Sequence, residues 1–137
     1  MVREIIHDEV LLSQKSEKAA KSDKNIAEDL LDTLAFHKDG CVGMAANMIG
    51  ELKCIIAFEN GGKYMIMYNP KIVGTSGEYK TEEGCLSYLG GPVKTTRHKS
   101  IQVEYEDEKF KKCKKVFKDY TAQIIQHEID HTDGVLI

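Results

Sequence analysis

Ile125-Gln126-His127-Glu128-Ile129-Asp130-His131, close to the C-terminus, is the stretch from which the rest of the chain is read. Written as a helix, it places His127 and His131 one turn apart on one face, where two imidazoles grip one metal ion. Glu128 falls between them, within reach of a proton on water bound at that ion. A His-Glu-x-x-His pentad also arises by chance. The remaining chain therefore has to supply a third ligand, an oxyanion site and a substrate groove. Ala122, Ile125 and Ile129 mark the apolar side of this helix, Asp119 or Thr121 caps its start, and Gly134 is its expected stop.

Working outward, residues 109–118 alternate lysines with Phe110, Val116 and Phe117. They read as a solvated strand edge protected by charge rather than as a nucleic-acid contact. Residues 100–105 alternate, with Ile101, Val103 and Tyr105 on one face of a half-buried strand. Residues 53–58 and 63–68 form strand-like runs around Asn60-Gly61-Gly62, a hairpin signal. Asn69-Pro70 is expected to end the second run, and residues 71–74 to make a further short strand before a turn at Ser76-Gly77. Towards the N-terminus, Ile26, Leu30 and Leu34 lie on one helical stripe that starts at Ser22 or Asp23 and stops near Gly40. Residues 1–22 are polar apart from Val10-Leu11-Leu12 and carry no clear pattern.

The order of elements predicts an α+β fold. A leading helix is followed by short antiparallel β-sheets packed around a C-terminal metal-binding helix. Residues 1–137 form one domain, with no repeat or low-complexity linker. Hydrophobic residues at 42% and charged ones at 30% describe an ordinary soluble globular chain. No apolar run spans a bilayer, and Met1-Val2-Arg3-Glu4 is no secretory signal, so the expected location is the cytoplasm, away from membranes. A net charge of −3 argues against direct nucleic-acid binding. The four cysteines, Cys41, Cys54, Cys85 and Cys113, are scattered and suggest no disulfide framework.

Cys85 is the natural third ligand. One thiolate and two imidazoles leave one coordination position for water, the pattern of a catalytic rather than a structural site. Glu83-Gly84-Cys85-Leu86-Ser87 followed by His127-Glu128-Ile129-Asp130-His131 resembles the peptide deformylase family, whose Glu-Gly-Cys-hydrophobic-Ser and His-Glu-hydrophobic-Asp-His motifs are both complete here. Tyr68-Asn69-Pro70 and Arg97 also sit where the family has an Asn-Pro and an arginine. The resemblance implies that Cys85, His127 and His131 hold the metal, Fe²⁺ in the cell, with Zn²⁺, Ni²⁺ or Co²⁺ able to replace it. It implies Glu128 as general base and then general acid, and the Leu86 backbone N–H as an oxyanion donor. The implied substrates are N-formyl-methionyl peptides or nascent chains. Val42, Gly43 and Ile124 would border the methionine pocket, the peptide would add as a strand beside Gly43 to Ala45, and Arg97 joins the substrate-binding set. Glu83, Asp130 and Gln126 are candidates for orienting the ligands, or for plain surface and capping roles.

Three departures from the family pattern stand out. Its first motif is Gly-hydrophobic-Gly-hydrophobic-Ala-Ala-x-Gln, against Cys41-Val42-Gly43-Met44-Ala45-Ala46-Asn47-Met48 here. Met48 thus replaces a glutamine that donates to the oxyanion, and methionine has no donor. Losing one such donor typically slows the reaction about 10²–10³-fold. Asn47, one position earlier, is the candidate substitute. Thr132 replaces a leucine, and the chain stops at Ile137, without the C-terminal helix that some members dock on the ribosome. The main alternative is a deformylase-like metal- or peptide-binding protein with lost or altered activity. A zincin-type peptidase also shares the pentad, but it would need a downstream ligand, for which the chain leaves little room.

Overall fold

Ile55, Ile56, Ala57 and Phe58 are all fully buried, and their alternation sets the architecture. Successive strand residues point to opposite faces. Ile55 and Ala57 therefore join Ile26, Leu30 and Leu34 of one helix, while Ile56 and Phe58 join Ala122, Ile125 and Ile129 of another. A strand covered on both sides needs an uninterrupted apolar run, which is why this one does not read as half-buried.

The computed structural model describes residues 1–87 and 89–137. Among them, helices α1 (Glu9–Leu12), α2 (Lys24–Phe36) and α3 (Asp119–Thr132) surround strands β1 (Gly43–Ala45), β2 (Ile55–Asn60), β3 (Lys63–Glu83), β4 (Val93–Glu106) and β5 (Lys112–Lys118). The strands form one antiparallel sheet in chain order, with β1 and β5 at its edges. The α+β layout expected from sequence is present. The several short sheets are instead one continuous sheet, with α2 on one face and α3 on the other. No helix among the described residues is long and apolar enough to cross a membrane.

The strand boundaries explain that difference. Asn69-Pro70 does not end β3. The pairing with β4 slips between Tyr68 and Lys71 and again between Ile72 and Gly74. Those irregularities accommodate Asn69 at φ 52° and a proline with no N–H to give. Asn69 also spends its amide on the Ala19 backbone, accepting from its N–H and donating to its carbonyl. Ser76-Gly77 is likewise no turn: Gly77 stays within β3 at φ 76°, where an added Cβ would stand 3.1 Å from Cβ of Lys99. β4 begins at Val93, well before the expected residue 100. Gly61 and Gly62 do make the β2–β3 hairpin, both at positive φ as a type I′ turn requires.

At the edge, β5 keeps Lys112, Lys114, Lys115 and Lys118 in solvent and buries Phe117. The helix ends differ in detail from expectation. α2 stops at Phe36, before Gly40, and α3 starts after Lys118 with no side-chain cap. Gly134, at φ 79°, does close α3, with Val135 N–H bonded back to the Asp130 carbonyl. Residues 1–22, unreadable in sequence, contain α1, capped by the Asp8 carboxylate, and are tied to the short helical turn after β1 by Ile6 N–H to the Met48 carbonyl and to the end of α3 by Ser16 N–H to the Thr132 carbonyl.

Candidate active site

α3 lies across the sheet with His127 and His131 on its inner side, their Nε2 atoms 3.0 Å apart. Cys85 arrives from the loop after β3, and the ligand atoms of Cys85, His127 and His131 all lie within 4.8 Å of one another. One sulfur and two ring nitrogens at that spacing fit a divalent transition-metal ion with a fourth position left open. A second observation fits the same ion: Glu128 is buried and its Oε1 has no hydrogen-bond partner among the described residues.

The ligands are held from behind. His127 Nδ1 bonds Oε1 of Glu83 at 2.8 Å, which fixes the ring so that Nε2 faces His131 and Cys85. Arg97 clasps Glu83 through Nε and Nη2, at 2.7 to 3.1 Å, and reaches Asp130 through Nη1 at 2.6 Å. Burial works to raise the Glu83 carboxyl, but bonds from His127 and Arg97 outweigh it and hold the group down at about 2. For His127, burial opposes the charge, yet its bonds to Cys85 and Glu83 carry it up to about 10 in the ion-free site. Burial, then the neighbouring His127 charge, drives His131 down to about 3, leaving a neutral ring with a lone pair to give. Burial raises Glu128 to about 7, with no partner to offset it fully.

A cavity of about 470 Å³ opens onto these groups, lined among others by Val42, Gly43, Met48, Cys85, Leu86, Ile124, His127 and Glu128. Val42, Gly43 and Ile124, expected at the methionine pocket, and Leu86, expected as an oxyanion donor, all line this cavity. Two residues from the substrate-binding set stand elsewhere. Ala45 does not line the cavity; it pairs with Ile56 and packs in the core under α3. Arg97 is only 4% exposed and sits behind His127 with both its carboxylates, out of a substrate's reach. Of the other candidates, Glu83 bonds Nδ1 of His127. Asp130 serves Arg97, and Gln126 ties α3 to β4 by bonding the N–H and carbonyl of His98. Asn47 is not among the residues lining the cavity, and its Nδ2 donates to the His131 carbonyl at 2.9 Å.

Sequence reading missed Gln123 and Tyr120, which also line the cavity. Gln123 was findable: it lies four residues before His127, hence on the same face of α3.

A family model described as polypeptide deformylase matches residues 3–137. The chain is 47% identical to a peptide deformylase of Clostridium beijerinckii over the whole of both chains. It is 36% identical to one of Dictyoglomus thermophilum, over 100% of this chain and 91% of that one. Among solved structures, peptide deformylase from Thermus thermophilus superposes with a TM-score of 0.87 at 32% identity, covering 99% of this chain and 83% of that one. The enzyme from Vibrio parahaemolyticus bacteriophage VP16T, solved with actinonin, gives 0.86 at 31% identity, covering 98% of this chain and 99% of the other. With the family model matching nearly the whole chain, a relative 47% identical over its full length and the same fold in solved structures, this chain belongs to the polypeptide deformylase family.

Proposed function

We propose that this chain removes the formyl group from N-formyl-methionyl peptides, nascent chains among them, in the cytoplasm, with Fe²⁺ held by Cys85, His127 and His131. The observation that carries this reading is the pairing of that ligand set with Glu128, whose buried Oε1 has no partner among the described residues. When bound, the ion supplies a Lewis acid that polarises the formyl oxygen and acidifies water. Glu128 takes the proton from the attacking water and returns it to the departing amine; burial, which raises this carboxyl, favours the protonated form from which it returns the proton. The Leu86 backbone N–H, at the cavity wall, donates to the formyl oxygen as negative charge grows there.

Substrate seating follows from the sheet. β1 is an edge strand, and Val42 and Gly43 face the cavity, so the peptide backbone adds alongside as one more strand. Val42, Gly43 and Ile124 border the methionine side chain. Met48 lines the same cavity where the resembling family carries a donor, and Asn47 is not among the residues lining it. Turnover therefore rests on the Leu86 N–H without side-chain help from this segment. That feature also favours the second reading, a relative that binds metal and peptide but has lost catalysis.

Formate release from formyl-Met-Ala-Ser by the iron-loaded protein separates the two. Release well above that of a Glu128→Ala control is the expected result. Rates equal to that control would leave only the binding role.

A further inference from the structure

Glu83, which orients His127, is gripped from two sides, and one of those sides is the cavity wall. Arg97 holds it from behind. From the front, Nε2 of Gln123 donates to Oε2 of Glu83 at 2.9 Å. Gln123 is itself fixed, because its Oε1 accepts from the Tyr79 hydroxyl at 3.1 Å. The chain of contacts thus runs from Tyr79 on β3 through Gln123 and Glu83 to Nδ1 of His127. Tyr79 is paired across the sheet with Arg97, so both grips on Glu83 start from one register position of β3 and β4. Gln123 precedes His127 by one helical turn, which puts donor and ligand on one face of α3.

We propose that Gln123 is a positioning residue for the metal site, setting the orientation of His127 through Glu83, with Tyr79 holding the amide in register. This rests on the metal-site reading above. Each group of the amide has one task on this path: the N–H₂ serves the carboxylate, the oxygen serves the phenol. A glutamine that only formed a cavity wall would need neither bond. Because Gln123 also lines the cavity, substrate in the pocket touches the same side chain that steadies the ligand.

The test compares Gln123→Leu, which keeps the bulk and loses both bonds, with Tyr79→Phe, which leaves the wall intact and removes only the hydroxyl. Gln123→Asn and Glu128→Ala complete the set. Cobalt(II) affinity is measured by competition with a chelator, and the visible spectrum of the cobalt protein reports ligand geometry. Outer partners of ligating histidines typically matter 10–100-fold in metal affinity. With Arg97 still gripping Glu83, Gln123→Leu is expected to weaken cobalt binding about tenfold. Tyr79→Phe should give a smaller loss and a spectral shift in the same direction, and both should lower kcat more than they raise KM. Gln123→Asn, which keeps the amide on a shorter stem, should recover part of the affinity. Wild-type affinity and spectrum in both Gln123→Leu and Tyr79→Phe, with any effect confined to KM, would make Gln123 a wall residue and overturn the proposal. Failure of the metal-site reading looks different: His127→Ala would then bind cobalt as well as the wild type does.

Discussion

Gly43 on β1 and Glu128 on α3 approach so closely that no carbon fits between them. A Cβ on Gly43 would stand 3.0 Å from Oε2 of Glu128 and 2.7 Å from Cγ2 of Ile124. The missing side chain is what lets the edge strand lie against α3, with the cavity opening beside the contact.

Gly43→Ala should therefore push Glu128 and Ile124 away from β1. Overpacking of this kind costs about 1–3 kcal/mol of stability, and misplacing a catalytic group by about 1 Å costs on the order of 10²-fold in rate. Thermal unfolding and kcat/KM on a formyl-methionyl peptide check both. Full activity with an unchanged melting temperature would show that the helix yields freely and that the contact is unimportant.

Arg97 offers a test of place. It is buried between Glu83 and Asp130, so Arg97→Leu takes the guanidinium away from the buried Glu83 carboxylate and leaves it only its bonds to His127 and Gln123. Breaking a buried pair from one side typically costs about 3–5 kcal/mol. The expected signature is a large drop in denaturation midpoint with KM nearly unchanged in the fraction that stays folded. A selective rise in KM with normal stability would return Arg97 to the substrate.

The ion-free protein should show the charge state of Glu128 in its stability. This carboxyl titrates near 4.5 in the unfolded chain and at about 7 in the fold. The folded state thus binds the proton more tightly. Its contribution is complete below pH 4.5 and is lost as pH rises through 7. Glu128→Gln does not titrate, so it should be the more stable protein above pH 7, by about 3 kcal/mol at 1.36 kcal/mol per pH unit. The gap should close towards pH 4.5. Denaturant titrations of both metal-free proteins across this range decide it; a pH-independent gap contradicts a raised carboxyl.

Met48→Gln should restore a side-chain donor beside the Leu86 N–H. Since one such donor is worth about 10²–10³-fold, kcat is expected to rise at least tenfold with little change in KM. An unchanged kcat would mean that another group already serves the oxyanion.

Much of the site was legible because its rules are local. The spacing of His127 and His131 puts them on one face of any helix, and a thiol with two imidazoles carries its chemistry wherever it is placed. The hairpin at Gly61-Gly62, the lysine-guarded edge at β5 and the stop at Gly134 were readable for the same reason. The continuity of β3 was not. Asn69-Pro70 and Ser76-Gly77 have the composition of turns, and only pairing with β4 holds them extended, one through a bulge and one through a glycine set against Lys99.

Sequence alone pointed to the side chains that gather at the candidate metal site and to the carboxylate beside them, because helical period and ligand chemistry need no knowledge of distant neighbours. Tertiary structure decided what stands behind those atoms. Arg97 went to Glu83 rather than to the peptide, Asn47 to the His131 carbonyl rather than to an oxyanion, and Gln123 into the path from Tyr79 to His127. A long polar side chain has several partners within reach of its stem. Which one it takes depends on the strand register and helix packing that the whole chain settles together.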